Sequence, residues 1–406
     1  MSSPPPEPST YFRKGFGLKA EVQDELAGDY DGRIVDLLKE SDFALTLGDV
    51  TIRLAREFGF CYGVERAVDY AYQTRKKFPD RRIFLVGEII HNPMVNRRLR
   101  EMGIEILLRP EPTGSFDFSR VTAEDVVIMP AFGVTIDDFA ALRDRGCVLV
   151  DTTCGSVLNV WKRVESYARD GFTALIHGKY AHEETRATAS QVRKYADGHY
   201  LIVRNMDEAK LVCAYVEGGS SDEDFMNRFA HAASPGFVPS RQLRRIGVAN
   251  QTTMLARESL AIAAEVGDAI ERARGADARA RDFRSFDTIC SATQERQDAV
   301  RELLETGVDV MVVIGGFNSS NTISLAALCA ERVPTYHVES AGAIDPERRS
   351  IHYRVAAVKH AEADAAEWLP AGPVRVGITA GASTPNNKIG DAISRILATR
   401  GLAVPV

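Results

Sequence analysis

The chain has 406 residues, 45% of them hydrophobic, so it is long enough for several domains with a large buried core. Its 50 basic and 56 acidic residues give a formal net charge of −6, which offers no basic surface for a nucleic-acid partner. No apolar run of about 18 residues and no charged-then-apolar leader is present, so we expect a cytoplasmic protein without a membrane segment.

The order of apolar and polar segments predicts an N-terminal extension followed by three similar α/β domains. Residues 1–10, rich in Pro and Ser, are predicted to be a disordered tail, and residues 11–50 to carry one helix, Arg33–Glu40. The predicted domains span 51–153, 154–289 and 290–399, with a tail at 400–406. The second domain contains an insertion at 217–242, rich in Gly, Ser and Asp, which we interpret as a surface excursion.

The domain assignment depends on a repeated local pattern that starts at Cys61, Cys154 and Cys290. The last two cysteines follow Asp-Thr-Thr and Asp-Thr-Ile, whereas the first follows Phe-Gly-Phe. Each cysteine precedes a helical stretch, then an apolar strand, then a loop rich in His, Glu, Asn or Ser. The predicted helices and strands of the three copies are Val64–Lys77 with Ile83–Val86, Val157–Arg169 with Ala174–Ile176, and Gln294–Glu305 with Val308–Ile314.

The spacing between each cysteine and its polar loop supports a repeat. The offsets to His91, His182 and Ser319 are 30, 28 and 29 residues. A further polar turn closes each copy after the predicted strands Val126–Met129, Ile246–Ala249 and Val374–Ile378. Because ligands bind at the carboxyl ends of parallel strands in α/β sheets, these loops and the cysteines are candidates for one shared centre.

The six cysteines fall into two groups. Cys147, Cys213 and Cys329 lie in apolar stretches and are interpreted as packed core residues. The three repeat cysteines have small or polar neighbours and precede helices, where a thiolate is stabilised. They are candidate metal ligands, although buried structural thiols are the simpler alternative. Three thiolates suit either zinc or an iron–sulfur cluster with one open iron.

Seven motifs together resemble the 4-hydroxy-3-methylbut-2-enyl diphosphate reductase family. They are Phe58–Ala67, Glu88–Pro93, Asp151–Cys154, His182–Thr185, Gln251–Thr253, Asn318–Asn321 and Gly381–Ser383. The resemblance runs in order from about residue 11 to 395 and covers nearly the whole chain. The segment 11–17 and the turn 130–133 resemble the plastid and cyanobacterial branch of the family.

The resemblance implies three α/β domains in a pseudo-threefold arrangement around a central [4Fe–4S] cluster held by Cys61, Cys154 and Cys290, with one open iron. It implies reductive removal of the hydroxyl group of (E)-4-hydroxy-3-methylbut-2-enyl diphosphate, giving isopentenyl and dimethylallyl diphosphates at the end of the methylerythritol phosphate route. No flavin or nicotinamide site is evident in the sequence, so a ferredoxin or flavodoxin is the expected electron donor.

The resemblance also assigns site residues. Glu184 is the expected proton source, because burial favours the neutral form of a carboxyl group, and Thr252 is expected to orient the substrate hydroxyl. The expected contacts of the diphosphate are His91, His182, Ser319, Ser320, Asn321 and Ser383. Their alternatives are ordinary: a surface glutamate at a helix start, a strand-end threonine, and a plain helix cap at Ser319.

One position departs from the family pattern. Much of the family has Ala-His-Gly where this chain has Ala131-Phe132-Gly133, so one histidine contact to the diphosphate is missing. His177, at the end of a predicted strand, is a candidate replacement, and an ordinary strand-end histidine is the alternative.

Two functions of other classes stay open. A zinc-dependent hydrolase would use the same three cysteines and would be colourless. A cluster-bearing sensor without enzymatic activity would need an exposed cluster or an attached DNA-binding element, and neither a basic helix pair nor a charge run is present in the sequence.

Overall fold

The structure is a computed structural model that describes residues 10–110, 114–356, 358 and 361–405. The chain divides into two compact units. Unit 1 comprises the described residues within Met1–Phe16, Gln73–Ile89 and Leu99–Ile289, and unit 2 those within Gly17–Tyr72, Ile90–Arg98 and Cys290–Val406. The predicted tail at 1–10 lies outside the described residues except for its last residue.

Strands and helices alternate along much of the chain, as is typical of α/β folds. The strands are β1 (Tyr11–Phe12), β2 (Ala44–Leu47), β3 (Val50–Leu54), β4 (Ile83–Val86), β5 (Ile104–Leu107), β6 (Val126–Met129), β7 (Val148–Asp151), β8 (Thr173–His177), β9 (Tyr200–Val203), β10 (Ile246–Asn250), β11 (Phe283–Ser285), β12 (Val310–Ile314), β13 (Thr335–Val338), β14 (Ile344–Asp345), β15 (Ser350–Arg354), β16 (Glu362–Ala366) and β17 (Val374–Ala380). The helices are α1 (Lys19–Tyr30), α2 (Arg33–Glu40), α3 (Tyr62–Lys77), α4 (Pro93–Glu101), α5 (Ile136–Arg143), α6 (Gly155–Arg169), α7 (Glu183–Ser190), α8 (Met206–Val216), α9 (Asp222–Phe229), α10 (Pro239–Gln242), α11 (Ala256–Arg274), α12 (Ala276–Asp282), α13 (Ser291–Glu305), α14 (Ser320–Ala330) and α15 (Asn386–Ala398).

The strands form three sheets, and their parallel cores confirm the predicted α/β class. Unit 1 contains the sheet β1-β7-β6-β4-β5 and the sheet β11-β10-β8-β9, in which every pairing is parallel. Unit 2 contains the sheet β14-β15-β13-β12-β17-β3-β2, with β16 beside β15. Its parallel core is β13-β12-β17-β3, and antiparallel strands flank that core. The central strands are buried along their whole length and mostly apolar, as is typical of parallel strands covered on both faces.

The three parallel cores share one strand order. In each sheet the strand that leads to a cysteine pairs with the strand before the closing turn, which pairs with the strand before the first polar loop. These triplets are β7-β6-β4, β11-β10-β8 and β3-β17-β12. The strands before Cys154 and Cys290 therefore belong to the sheets of the first and second copies, whereas β3, before Cys61, belongs to the sheet of the third copy. The helix after each cysteine leads into the next sheet. The parallel cores of the three sheets thus have the same strand order relative to the cysteines and the polar loops.

Most predicted elements are confirmed within a few residues. The strands at 83–86 and 126–129 and the helix Arg33–Glu40 have the predicted bounds. The first copy differs at its start, because β3 pairs with β17 of the third sheet. The three domain boundaries stay a prediction.

Two features of the sequence were interpreted too simply. The extension holds two helices rather than one, and α1 was missed because only Val22 and Tyr30 of its side chains are buried. The insertion at 217–242 is not only a surface excursion: it forms α9 and α10, and Phe225, Phe229 and Phe237 are buried in the core of unit 1. Its polar composition concealed these well-spaced aromatic anchors.

None of the helices in the described part of the chain is both long enough and apolar enough to cross a membrane.

Each unit buries a histidine in its sheet. His177 ends β8 with no exposed surface, and its Nδ1 lies 2.8 Å from Ser259 Oγ. His337 in β13 is 1% exposed, and its Nε2 lies 2.9 Å from the carbonyl oxygen of Gly315. Burial lowers the pKa of both imidazoles to about 4, so both are neutral near pH 7.

We predict a loss of stability in acid from these histidines. The pKa of His177 is about 4 in the folded chain and rises to its ordinary value of 6.5 on unfolding. Its contribution is therefore fully present above pH 6.5 and falls as the pH drops toward 4, by about 3 kcal/mol in all. Denaturant unfolding of His177→Gln should show a weaker pH dependence than wild type over that range.

The control is His352→Gln. His352 is exposed, and hydrogen bonds to Glu362 and Asp364 raise its pKa, so its effect has the opposite sign. The acid-sensitive slope should persist in this variant. If the free energy of unfolding of His177→Gln falls with pH as steeply as that of wild type, other groups cause the loss of stability in acid.

Candidate active site

The structure separates the six cysteines into the two predicted groups, and none is in a disulfide bond. Cys147, Cys213 and Cys329 are buried, whereas Cys61, Cys154 and Cys290 are partly exposed. Burial raises the pKa of all three buried thiols, that of Cys213 to about 12, so they persist as thiols. Only the second group is placed to act as metal ligands.

Each partly exposed cysteine immediately precedes a helix. Cys61 comes before α3, and Cys154 and Cys290 are the N-cap residues of α6 and α13. Helix N-termini present backbone N–H groups and a partial positive charge, which stabilise a thiolate. The thiol chemistry and its placement fit a thiolate-ligated metal or iron–sulfur cluster.

The aspartates of the two Asp-Thr motifs form the turns that lead to the cysteines. Asp151 Oδ1 accepts a hydrogen bond from Thr153 N at 2.9 Å, and Asp287 Oδ1 accepts one from Ile289 N at 3.0 Å. In the N-terminal extension, the hydroxyl of Tyr11 donates to Asp151 Oδ2 at 2.6 Å. The extension therefore supports the turn before Cys154.

The threonines of the same motifs anchor these turns to the neighbouring strand. Thr152 Oγ1 donates to the carbonyl of Met129, the last residue of β6, at 2.6 Å. Thr288 Oγ1 donates to the carbonyl of Asn250, the last residue of β10, at 3.1 Å. Equivalent sequence positions thus have equivalent structural roles, which explains why the motif recurs.

The turn before Cys61 lacks both side chains and is built differently. Its N–H groups at Gly59 and Cys61 donate to the carbonyls of Ala380 and Ala382, at 3.2 Å each. Gly59 has φ +65°, and a Cβ there would come within 3.0 Å of the Thr384 carbonyl oxygen. A side chain at this position would be both strained and crowded.

Glu184 and Thr252, the two predicted catalytic residues, are in contact in unit 1. Glu184 is 1% exposed and Thr252 is 4% exposed. Thr252 donates its N–H to Glu184 Oε1 at 2.6 Å and its hydroxyl to Glu184 Oε2 at 2.9 Å. The two residues follow the parallel strands β8 and β10, which explains how they meet across 68 positions of sequence. Their roles in the reaction stay a prediction.

The side chain of His182 is oriented by the start of α7. Its Nδ1 accepts a hydrogen bond from Glu184 N at 3.1 Å. Because Nδ1 accepts this bond, Nε2 is the ring nitrogen that carries a proton. The ring of Phe132 meets the imidazole edge to face, with centroids 5.5 Å apart. The residue that replaces the family histidine thus packs on another predicted phosphate contact.

Sequence analysis missed the role of Gln251. This buried amide accepts hydrogen bonds from Lys179 N and Thr185 Oγ1 and donates to Thr253 Oγ1. It therefore fixes the loop after β8 to the turn that carries Thr252. The only signal in the sequence was its place in the Gln251–Thr253 motif.

In unit 2 the polar residues after β12 and β17 lie together. Asn321 Oδ1 accepts from Ala382 N at 2.9 Å, and its Nδ2 lies 3.5 Å from Thr293 Oγ1. Thr293 Oγ1 is 3.0 Å from Cys290 Sγ, and Thr293 N donates to the same sulfur at 3.3 Å. The predicted ligand cysteine and the polar start of α14 are thus joined through one threonine.

The other predicted diphosphate contacts of unit 2, His91, Ser319, Ser320 and Ser383, are also buried. The hydroxyl of Ser383 donates to the carbonyl of His91 at 3.0 Å. Ser319 Oγ caps α14 by accepting from Thr322 N, which is the alternative considered for this residue, and Ser320 is the first residue of the helix. Helix N-termini with free N–H groups are well suited to anions. Whether these residues contact a diphosphate stays a prediction.

His177 does not replace the missing histidine. Its side chain has no exposed surface and is hydrogen-bonded to Ser259, so the ordinary strand-end interpretation is correct. Its low pKa also removes the positive charge that would favour an anion.

Comparison with known proteins identifies relatives over nearly the whole chain. The model of the LytB protein family matches residues 52–397. A protein of Cyanothece sp. named 4-hydroxy-3-methylbut-2-enyl diphosphate reductase is 48% identical over 394 residues, covering 96% of this chain and 94% of the relative. A protein of the same name from Thermosynechococcus vestitus is 47% identical, covering 97% and 96%.

Solved structures agree with these relatives. A structure of (E)-4-hydroxy-3-methyl-but-2-enyl diphosphate reductase, described as the terminal enzyme of the non-mevalonate pathway, matches with a TM-score of 0.51 and 28% identity. The match covers 85% of this chain and 98% of the chain in that structure. The Plasmodium falciparum E-1-hydroxy-2-methyl-but-2-enyl-4-diphosphate reductase shares the fold, with a TM-score of 0.62, 19% identity and coverage of 86% and 88%. The chain belongs to the LytB protein family.

Proposed function

We propose that this protein reduces (E)-4-hydroxy-3-methylbut-2-enyl diphosphate to isopentenyl and dimethylallyl diphosphates, using a [4Fe–4S] cluster ligated by Cys61, Cys154 and Cys290. The observation that carries the proposal is the division of the cysteines into buried thiols and thiols at helix starts. When bound, the cluster supplies electrons and one iron without a protein ligand.

The residues of unit 1 are suited to protonation chemistry. Glu184 is buried, and Thr252 holds both of its carboxyl oxygens in place. In its neutral form this carboxyl group is a proton donor whose direction is fixed. The Thr252 oxygen retains lone pairs that can accept a hydrogen bond from the substrate hydroxyl. We assign proton supply to Glu184 and orientation of the hydroxyl to Thr252.

The proposed diphosphate contacts are donors. We assign a contact to His182 through its Nε2 and further contacts to Ser319, Ser320 and Asn321, which lie at the N-terminus of α14. His91 and Ser383 complete the assignment, and the Ser383 hydroxyl is held near His91 by donating to its backbone carbonyl. A ferredoxin or flavodoxin is the proposed electron donor.

We predict that Cys154→Ser abolishes cluster binding. Anaerobically purified wild-type protein should contain about four iron and four sulfide ions per chain and be brown. The Cys154→Ser chain should lose most of both, because serine is a poor ligand for the cluster. Iron, sulfide and zinc analyses with EPR spectroscopy provide the measurement.

The matched control is Cys213→Ala, which removes a buried thiol of the core. It should retain the full iron content. A colourless wild-type protein with stoichiometric zinc would contradict the cluster and favour the zinc-dependent hydrolase.

We predict that Glu184→Gln and Thr252→Val lower turnover while the fold is retained. Removal of a positioned acid typically costs roughly 10²- to 10⁴-fold in rate, and loss of the Thr252 hydroxyl removes both its orientation and its bond to Glu184. Turnover of the allylic diphosphate with dithionite and a viologen mediator provides the measurement.

Thr188→Val is the control for these variants. Thr188 lies in α7, is 2% exposed, and has a buried hydroxyl without a hydrogen-bond partner among the described residues. This isosteric change should leave turnover near the wild-type value. Full activity in Glu184→Gln would overturn the assigned proton source.

A further inference from the structure

The Cys61 turn is supported by a side chain from the helix that begins after Cys290. This turn has neither the aspartate nor the threonine that organise the other two turns. Arg296 lies in α13 and reaches the carbonyl groups of the three residues before Cys61. The support missing from the local sequence therefore comes from a residue more than 230 positions away.

The guanidinium group of Arg296 forms a fork over this turn. Its Nη2 donates to the carbonyl of Gly59 at 2.8 Å and lies 3.3 Å and 3.2 Å from the carbonyl oxygens of Phe58 and Phe60. Its Nε donates to Gly59 at 3.2 Å, and Nη1 donates to the carbonyl of Ala292 at 2.9 Å. The planar guanidinium thus joins the residue before Cys61 to a residue two positions after Cys290.

The charge of Arg296 has no carboxylate partner in the part of the chain that the structure describes. The residue is 3% exposed, and it forms no ion pair with any described residue. A guanidinium stays charged in proteins, and burial of a charge is costly unless an opposite charge compensates it. Carbonyl oxygens offset only part of this cost. Cys61 directly follows Phe60, whose carbonyl Arg296 contacts, and Cys290 lies two positions before Ala292, so the guanidinium lies against the backbone next to both cysteines.

We propose that Arg296 is a positioning residue that holds the Cys61 turn in its ligating conformation and supplies a positive charge that favours the reduced cluster. The first part concerns the polypeptide alone. The second part rests on the proposed function, because it requires a cluster at these cysteines. Outer residues that orient metal ligands commonly change metal affinity by roughly 10- to 100-fold when they are replaced.

Two variants separate the fork from the charge. Arg296→Gln keeps some hydrogen-bond donors and removes the charge, whereas Arg296→Lys keeps the charge and removes the planar fork. The matched control is Arg301→Gln on the same helix, where a partly exposed arginine pairs with Asp298. All measurements use the full-length chain, with circular dichroism as the check of folding.

The first measurement is hydrogen exchange of a peptide that spans residues 57–61, after chelator treatment has removed metal from every chain. We expect exchange roughly tenfold faster or more in both Arg296 variants and unchanged in Arg301→Gln.

The second measurement is the rate of cluster loss to a chelator and the reduction potential of the anaerobic protein. Cluster loss should accelerate roughly tenfold or more in both variants. The potential should fall in Arg296→Gln and stay near the wild-type value in Arg296→Lys.

Each outcome has one meaning. Unchanged hydrogen exchange in both folded variants would overturn the positioning role, whatever the metal content. Equal potentials in wild type and Arg296→Gln would overturn the role of the charge. If the wild-type chain binds no cluster, the proposed function fails, while the exchange measurement still decides whether Arg296 holds the turn. If Arg296→Gln does not fold, Arg296→Lys decides the positioning role through the same peptide.

Discussion

The constraint on which this structure depends is the turn that joins a parallel strand to a helix through a cysteine. At this point the strand has ended, the first N–H groups of the helix lack partners within the helix, and a side chain that accepts hydrogen bonds or carries negative charge is favoured. Cys61, Cys154 and Cys290 each occupy this position, directly before α3, α6 and α13. The third sheet is completed by β2 and β3, which lie more than 250 positions before β12 in the sequence, so its core depends on both ends of the chain.

The same constraint explains where the polar residues lie. Carboxyl ends of neighbouring parallel strands are adjacent, so the loop after β8 and the turn after β10 bring Glu184 and Thr252 into direct contact. The equivalent positions after β12 and β17 bring Asn321 to the backbone of Ala382. Much of the candidate site is thus a consequence of sheet topology, and the side chains at those positions decide its chemistry.

The three turns reach a similar geometry by different means. Aspartate and threonine side chains fix two of them through local hydrogen bonds, and these residues are visible in the sequence as a recurring motif. The Cys61 turn instead combines the backbone freedom of Gly59 with the distant guanidinium of Arg296. A local motif therefore identifies a shared role only where the supporting bonds are themselves local.

The sequence alone determined the α/β class, most strand and helix bounds, and the two groups of cysteines, because hydrophobic periodicity and neighbouring polarity are local properties. It missed α1, which buries few side chains, and the aromatic anchors of the 217–242 insertion, which are hidden in a polar composition. Only the tertiary structure decided that His177 is a buried neutral core residue rather than a phosphate contact. The tertiary structure likewise decided the contact of Arg296 with the Cys61 turn. Such contacts and the burial of a side chain depend on segments that are distant in sequence, so no local pattern predicts them.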